Sequence, residues 1–196
     1  MPVSTALDIN NSPHAVRILI TGGPGTGKST LLAALAQSGE ICYEEASRAL
    51  IREQLAHEGQ LVPWGNLLGF AQECCARMRA QLADSPADRR CFFDRGLPDL
   101  IAYLRHGGLP APDAWCTASR AYARVTFFAP PWAEIFVNDP ERPQSFSEAC
   151  ALSDHIRYAY QTCGFQLIEL VRDRVEMRRA QVLNYLRTNP YDLRRG

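Results

Sequence analysis

A chain that carries Gly22-Gly23-Pro24-Gly25-Thr26-Gly27-Lys28-Ser29 has few folds open to it, because these eight residues complete the pattern G-x-x-x-x-G-K-[ST]. Such a loop must turn its backbone N–H groups inward around phosphate oxygens. Gly23, Gly25 and Gly27 permit that curvature without a Cβ clash. Lys28 is then expected to reach the β- and γ-phosphates, and Ser29 to offer its hydroxyl to Mg²⁺. The flanks agree. Val16 to Thr21 is a buried-strand pattern, and Lys28 to Gln37 is helical, so the phosphate would meet a helix N-terminus at Lys28, Ser29 and Thr30.

The remaining chain alternates strand and helix. Strands are predicted at Glu40–Glu45, Arg90–Asp94, Val125–Ala129 and Phe165–Val171. Helices are predicted at Ala46–His57, Leu67–Leu82, Leu97–Arg105, Pro112–Ala123, Ser147–Thr162 and Arg174–Leu186. Strands separated by helices throughout imply an α/β fold: a five-stranded parallel sheet with helices on both faces, a three-layer sandwich. Ligands in such sheets bind at the carboxyl ends of the strands. One domain is expected over residues 16–188, with flexible tails at 1–15 and 189–196.

Composition narrows the function classes. Among 196 residues, 21 Lys+Arg balance 21 Asp+Glu, and no basic run occurs, which disfavours a nucleic-acid or anionic-membrane surface. No apolar run is long enough to span a membrane. The polar first fifteen residues resemble no signal peptide. The seven cysteines form no C-x-x-C pair, so free thiols in a reducing cytoplasm are expected. The four histidines lie too far apart in sequence for a zinc motif, and nothing fixes an oligomeric state.

Polar residues collect at strand ends. Asp94 closes the third strand, where a phosphate-loop enzyme needs a carboxylate near Mg²⁺; a helix cap or turn is the alternative. Arg95 suits a phosphate or substrate clamp, or a structural ion pair. Glu44 and Glu45 end the second strand, and alternation sends one of them into the cleft. There it would take the proton of an attacking hydroxyl or orient metal-bound water, or else simply favour the following helix through its dipole. Arg48 would meet substrate or pair with Glu44. Arg142, in the polar segment 138–145, is placed for a lid that neutralises transferring phosphate, or for an ordinary surface loop. Arg157 faces either the cleft or solvent. The Asn-Lys-x-Asp pattern of guanine-selective loops does not occur, so ATP is the expected nucleotide, with GTP left open.

The phosphate loop, Tyr43-Glu44-Glu45-Ala46-Ser47-Arg48, the run Phe93-Asp94-Arg95-Gly96 with Asp99-Leu100-Ile101-Ala102-Tyr103, and Asn138-Asp139-Pro140-Glu141-Arg142 together resemble the NadR-type AAA domain family of ATPases and kinases. The resemblance runs from about Arg17 to Leu186. It implies a P-loop fold with a kinase-like lid, triphosphate binding by Gly22 to Thr30, Mg²⁺ at Ser29 and Asp94, and Arg142 in the lid. It implies no acceptor. Two functions follow: a kinase acting on a small hydroxylated, nucleoside-like metabolite, or a nucleotide-binding switch that acts through a protein partner.

Overall fold

The computed structural model describes residues 16–137 and 144–189. The expected tails and Arg142, with the rest of 138–143, lie outside the described residues. Five strands, β1 (Arg17–Thr21), β2 (Ile41–Tyr43), β3 (Cys91–Asp94), β4 (Val125–Phe128) and β5 (Gln166–Glu169), form one sheet in the order β2-β3-β1-β4-β5. All four pairings are parallel. The central strands are apolar on both faces: Ile18, Leu19, Ile20, Phe92 and Phe127 are each fully buried.

Each face is covered by helices that the apolar spacing had marked. On one face α1 (Lys28–Gln37) and α7 (Val175–Thr188) bring Leu31, Leu35, Val182 and Leu186 onto Ile18, Ile20, Phe92 and Phe127. On the other, α4 (Leu97–His106) and α6 (Phe146–Thr162) bring Ile101, Leu152, Ile156 and Tyr160 onto Leu19, Phe93 and Phe128. Burying each such side chain contributes roughly 1.5–3 kcal/mol. The pair α2 (Ala46–Ala56) and α3 (Leu67–Asp84) forms a smaller core with Leu97 and Leu100 of α4. The result is a three-layer α/β sandwich of the P-loop type. Among the described residues no helix is long and apolar enough to cross a membrane.

Three expectations are corrected. The edge strands are shorter than predicted, because only Ile41–Tyr43 pairs with β3 and only Gln166–Glu169 pairs with β4. Glu44 and Glu45 therefore lie beyond β2, and strand alternation does not set their directions. The helix expected at Pro112–Ala123 stops early. α5 covers Asp113–Ala118 and a 3₁₀ turn follows at Ser119–Ala121, which drops Tyr122 into the core as the chain rises to β4. The cysteines are also not all free. Cys116, in α5, is joined by a disulfide to Cys163, the C-cap of α6, across a Cα–Cα distance of 5.2 Å. The other five are free.

Candidate functional site

The loop between β1 and α1 is built as its glycines require. Gly22, Gly25 and Gly27 have φ of 139°, 69° and 75°. A Cβ on Gly22 would lie 2.2 Å from the carbonyl oxygen of Ala129. Thr26 Oγ1 ties the loop across itself by donating to Gly23 O at 2.9 Å. Lys28 is buried and folds back over the loop, where its Nζ donates to Gly23 O at 2.6 Å and to Thr26 Oγ1 at 3.2 Å. No acidic side chain sits in the first turn of α1, so its amide ends and positive dipole end keep their preference for an anion.

A cleft of about 850 Å³ opens over this loop. One wall is Ile135, Phe136 and Val137; another is Asp173 to Glu176, where β5 leads into α7. Phe136 stands over Gly25, and a Cβ there would lie 2.5 Å from its ring. Glu45, Arg48 and Gln144 line the same cleft.

Asp94 ends β3 and is 4% exposed. Its Oδ2 accepts from Ser29 Oγ at 3.4 Å. The helix-cap alternative fails, because the carboxylate that accepts from the Gly96 amide at the start of α4 is Asp99. Two oxygens 3.4 Å apart at a helix N-terminus suit a small hard cation that keeps water and phosphate as its other ligands. No group of three or more His, Cys, Asp and Glu side chains gathers for a metal among the described residues.

Arg95 is the node of the site. It is 2% exposed and holds φ at 74°, a left-handed conformation that costs a residue with a Cβ about 1–2 kcal/mol. Its Nε donates to Glu45 Oε1 at 2.8 Å, and its Nη1 donates to Gly22 O at 3.0 Å and Asp99 Oδ1 at 2.9 Å. Its guanidinium also lies 5.7 Å from the Tyr103 ring centroid. Burial works against its charge, but the fields of Glu45, Tyr103, Asp99 and Asp94 outweigh it and hold the group protonated well above its ordinary range. Asp99 accepts as well from Thr21 Oγ1 at 2.7 Å and from the Tyr160 hydroxyl at 2.6 Å. The ion-pair reading of Arg95 is thus observed, and the pair ties β1, the start of the loop, the end of β2 and α4 together.

The two glutamates separate clearly. Glu45 is buried, makes no helix-cap hydrogen bond, and turns to Arg95 and to the Ser47 hydroxyl, which donates to it. Glu44 is exposed, and its carbonyl accepts from Gln81. Arg157 is drawn away from the cleft: it pairs with Glu169 at 2.7 Å and lies 4.2 Å from the Phe128 ring centroid. Three contributors were not singled out for these roles in the sequence. Asp99 carries a signal, since it stands at i+4 from Arg95 on a helix start. Phe136 and Arg178 carry none, because only the fold brings them to the loop.

Residues 17–178 match a protein family described as an AAA domain. No curated protein matches the chain. Several solved structures share its fold. The NadR protein in complex with NR superposes with a TM-score of 0.67 at 14% identity, over 93% of this chain and 53% of that one. Thymidylate kinase from Ehrlichia chaffeensis gives 0.60 at 17% identity, over 89% and 100%. Shikimate kinase from Aquifex aeolicus vf5 gives 0.56 at 17% identity, over 90% and 99%. At such identities the likeness is one of fold. The match along the sequence, which covers most of its length, goes further: this chain belongs to the AAA-domain family.

Proposed function

We propose that this protein is an ATP-dependent phosphotransferase that moves the γ-phosphoryl group to a hydroxyl of a small, nucleoside-like metabolite. The observation that carries the reading is that a buried carboxylate, Glu45, opens onto the same cleft as Lys28 and Ser29. A switch needs only the phosphate end. A kinase also needs a proton acceptor opposite it.

In this reading Gly22 to Thr30 wrap the phosphates with backbone amides, and Lys28 exchanges Gly23 O for a phosphate oxygen. Ser29 and Asp94 would hold Mg²⁺, which neutralises charge on the phosphates. Arg95 fixes the Glu45 carboxylate, and Glu45 takes the proton of the attacking hydroxyl. Arg142 is assigned to a lid over the transferring group. Glu44, exposed at the edge of the pocket that Glu45 and Asp94 line, is assigned no part in the proton transfer. The acceptor is assigned to the space beside Glu45 and Asp94, where Ser29, Cys42, Arg48 and Arg52 line a pocket of about 320 Å³. The likeness in fold to thymidylate kinase supports a nucleoside-like acceptor. The five free cysteines suit a reducing, cytoplasmic setting. The Cys116–Cys163 bond points the other way, and a thiol count with and without reductant tests it.

A panel of nucleosides and hydroxylated metabolites with Mg²⁺-ATP tests the whole assignment. One acceptor is expected to be phosphorylated, and Lys28→Ala is expected to lower turnover by at least a hundredfold. Glu45→Gln should lower kcat at least a hundredfold with ATP affinity kept. Slow hydrolysis without any phosphorylated product would overturn the kinase reading in favour of a nucleotide switch with a protein partner.

A further inference from the structure

Arg178 is a buried cation without a counter-charge. It lies in the first turn of α7, is 4% exposed, and lines the cleft over the phosphate loop. Its Nη1 donates to the carbonyl of Thr26 at 2.9 Å, and a Cβ on Gly27 would lie 2.8 Å from the same nitrogen. Its Nε is buried with no hydrogen-bond partner. The other buried guanidinium among the described residues, Arg95, is neutralised by Glu45 and Asp99. No carboxylate among the described residues pairs with Arg178. Burial alone pushes its pKa down, with no opposing field from a neighbouring carboxylate.

An arginine does not shed its proton in this situation, so the unbalanced charge persists and costs stability. Natural sites retain such a charge where a ligand supplies the balance. A guanidinium held against the carbonyl of Thr26, beside the glycine that opens α1, lines the cleft in which the loop amides would collect an anion. We propose that Arg178 is a second phosphate-binding cation of this cleft, reaching the loop from the last helix, and that its counter-charge is the polyphosphate chain of the bound nucleotide. The inference rests on the nucleotide reading of the loop, and adds to it a residue some 150 positions away in sequence.

The alternative role is mechanical, a brace on the Thr26 carbonyl. The two roles predict opposite effects on the ligand-free protein. Arg178→Met keeps the aliphatic stem and removes the charge. If the charge awaits a ligand, the ligand-free variant melts at or above the wild-type Tm while its Kd rises roughly tenfold or more, for Mg²⁺-ATP and for inorganic tripolyphosphate alike. Arg178→Lys, which keeps charge but not the planar fork, should weaken both less than Arg178→Met does. Isothermal titration and thermal melts on the full chain read these values. Unchanged affinity in Arg178→Met, weakening for ATP but not for tripolyphosphate, or a lowered ligand-free Tm would each overturn the proposal. Wild-type protein that binds neither ligand would instead overturn the nucleotide reading beneath it.

Discussion

Truncating Arg95 is the severest test of how the site is held. Removing the guanidinium takes a charged donor from Glu45, which keeps the Ser47 hydroxyl among its partners, and from Asp99, which keeps Thr21, the Gly96 amide and Tyr160. Breaking a buried pair from one side costs about 3–5 kcal/mol, and Glu45 and Asp99 are only 7% and 0% exposed. For a chain of 196 residues this is a fall in Tm of roughly 10 °C. Backbone strain supplies an internal control. Arg95→Ala and Arg95→Gly lose the same bonds, but only alanine retains the left-handed penalty of about 1–2 kcal/mol, so the glycine variant should melt a few degrees higher. Calorimetric melts of wild type and both variants measure both effects. An alanine variant within about 1 kcal/mol of wild type, or one that melts with the glycine variant, would refute the reasoning.

Two further outcomes follow from the geometry. Gly22→Ala should destabilise by about 3 kcal/mol or more, because its Cβ would meet backbone at 2.2 Å, whereas Gly39→Ala, with nothing within 4 Å, should lose only about 1 kcal/mol from its φ of 89°; urea unfolding compares the pair. The protein should also lose stability as pH rises above 9, where unfolded thiols begin to ionise. Burial, helped by Glu40, raises Cys42 to about 12, and burial followed by the field of Asp99 raises Tyr122 and Tyr160, so these groups favour the folded state below their unfolded values and cease to as pH climbs. Tyr160→Phe should flatten that decline in melts recorded from pH 8 to 11.

The sequence shows the donor half of the site and hides much of the acceptor half, for a physical reason. Gly22 to Ser29 act through backbone conformation and local contacts, so eight neighbouring residues suffice to define them. The strands and most helices are legible for the same reason: continuous apolar runs and 3–4 spacing are local signals, and the helix starts at Lys28, Ala46, Leu67 and Leu97 were all placed correctly. Strand ends are less legible because they depend on a partner. Glu44 and Glu45 belong to a strand by pattern but lie beyond the last residue that β3 can pair. Their separation into an exposed and a buried carboxylate follows from Arg95, 50 residues away. Arg178 and Phe136 approach the loop across still longer separations, and a charged or aromatic residue in an amphipathic helix or a turn has no local mark of such a destination.

The lysine of the loop has a consequence for recognition kinetics. Its ammonium group donates to the carbonyl of Gly23 and the hydroxyl of Thr26. An arriving phosphate therefore enters by displacement, taking over a donor from the protein's own oxygens in place of one exposed to water. That exchange makes weak, singly charged anions poor competitors, since they must displace a built-in acceptor at 2.6 Å. Selectivity for a multiply charged chain over free monovalent ions thus begins in the loop itself, before any nucleotide base is read.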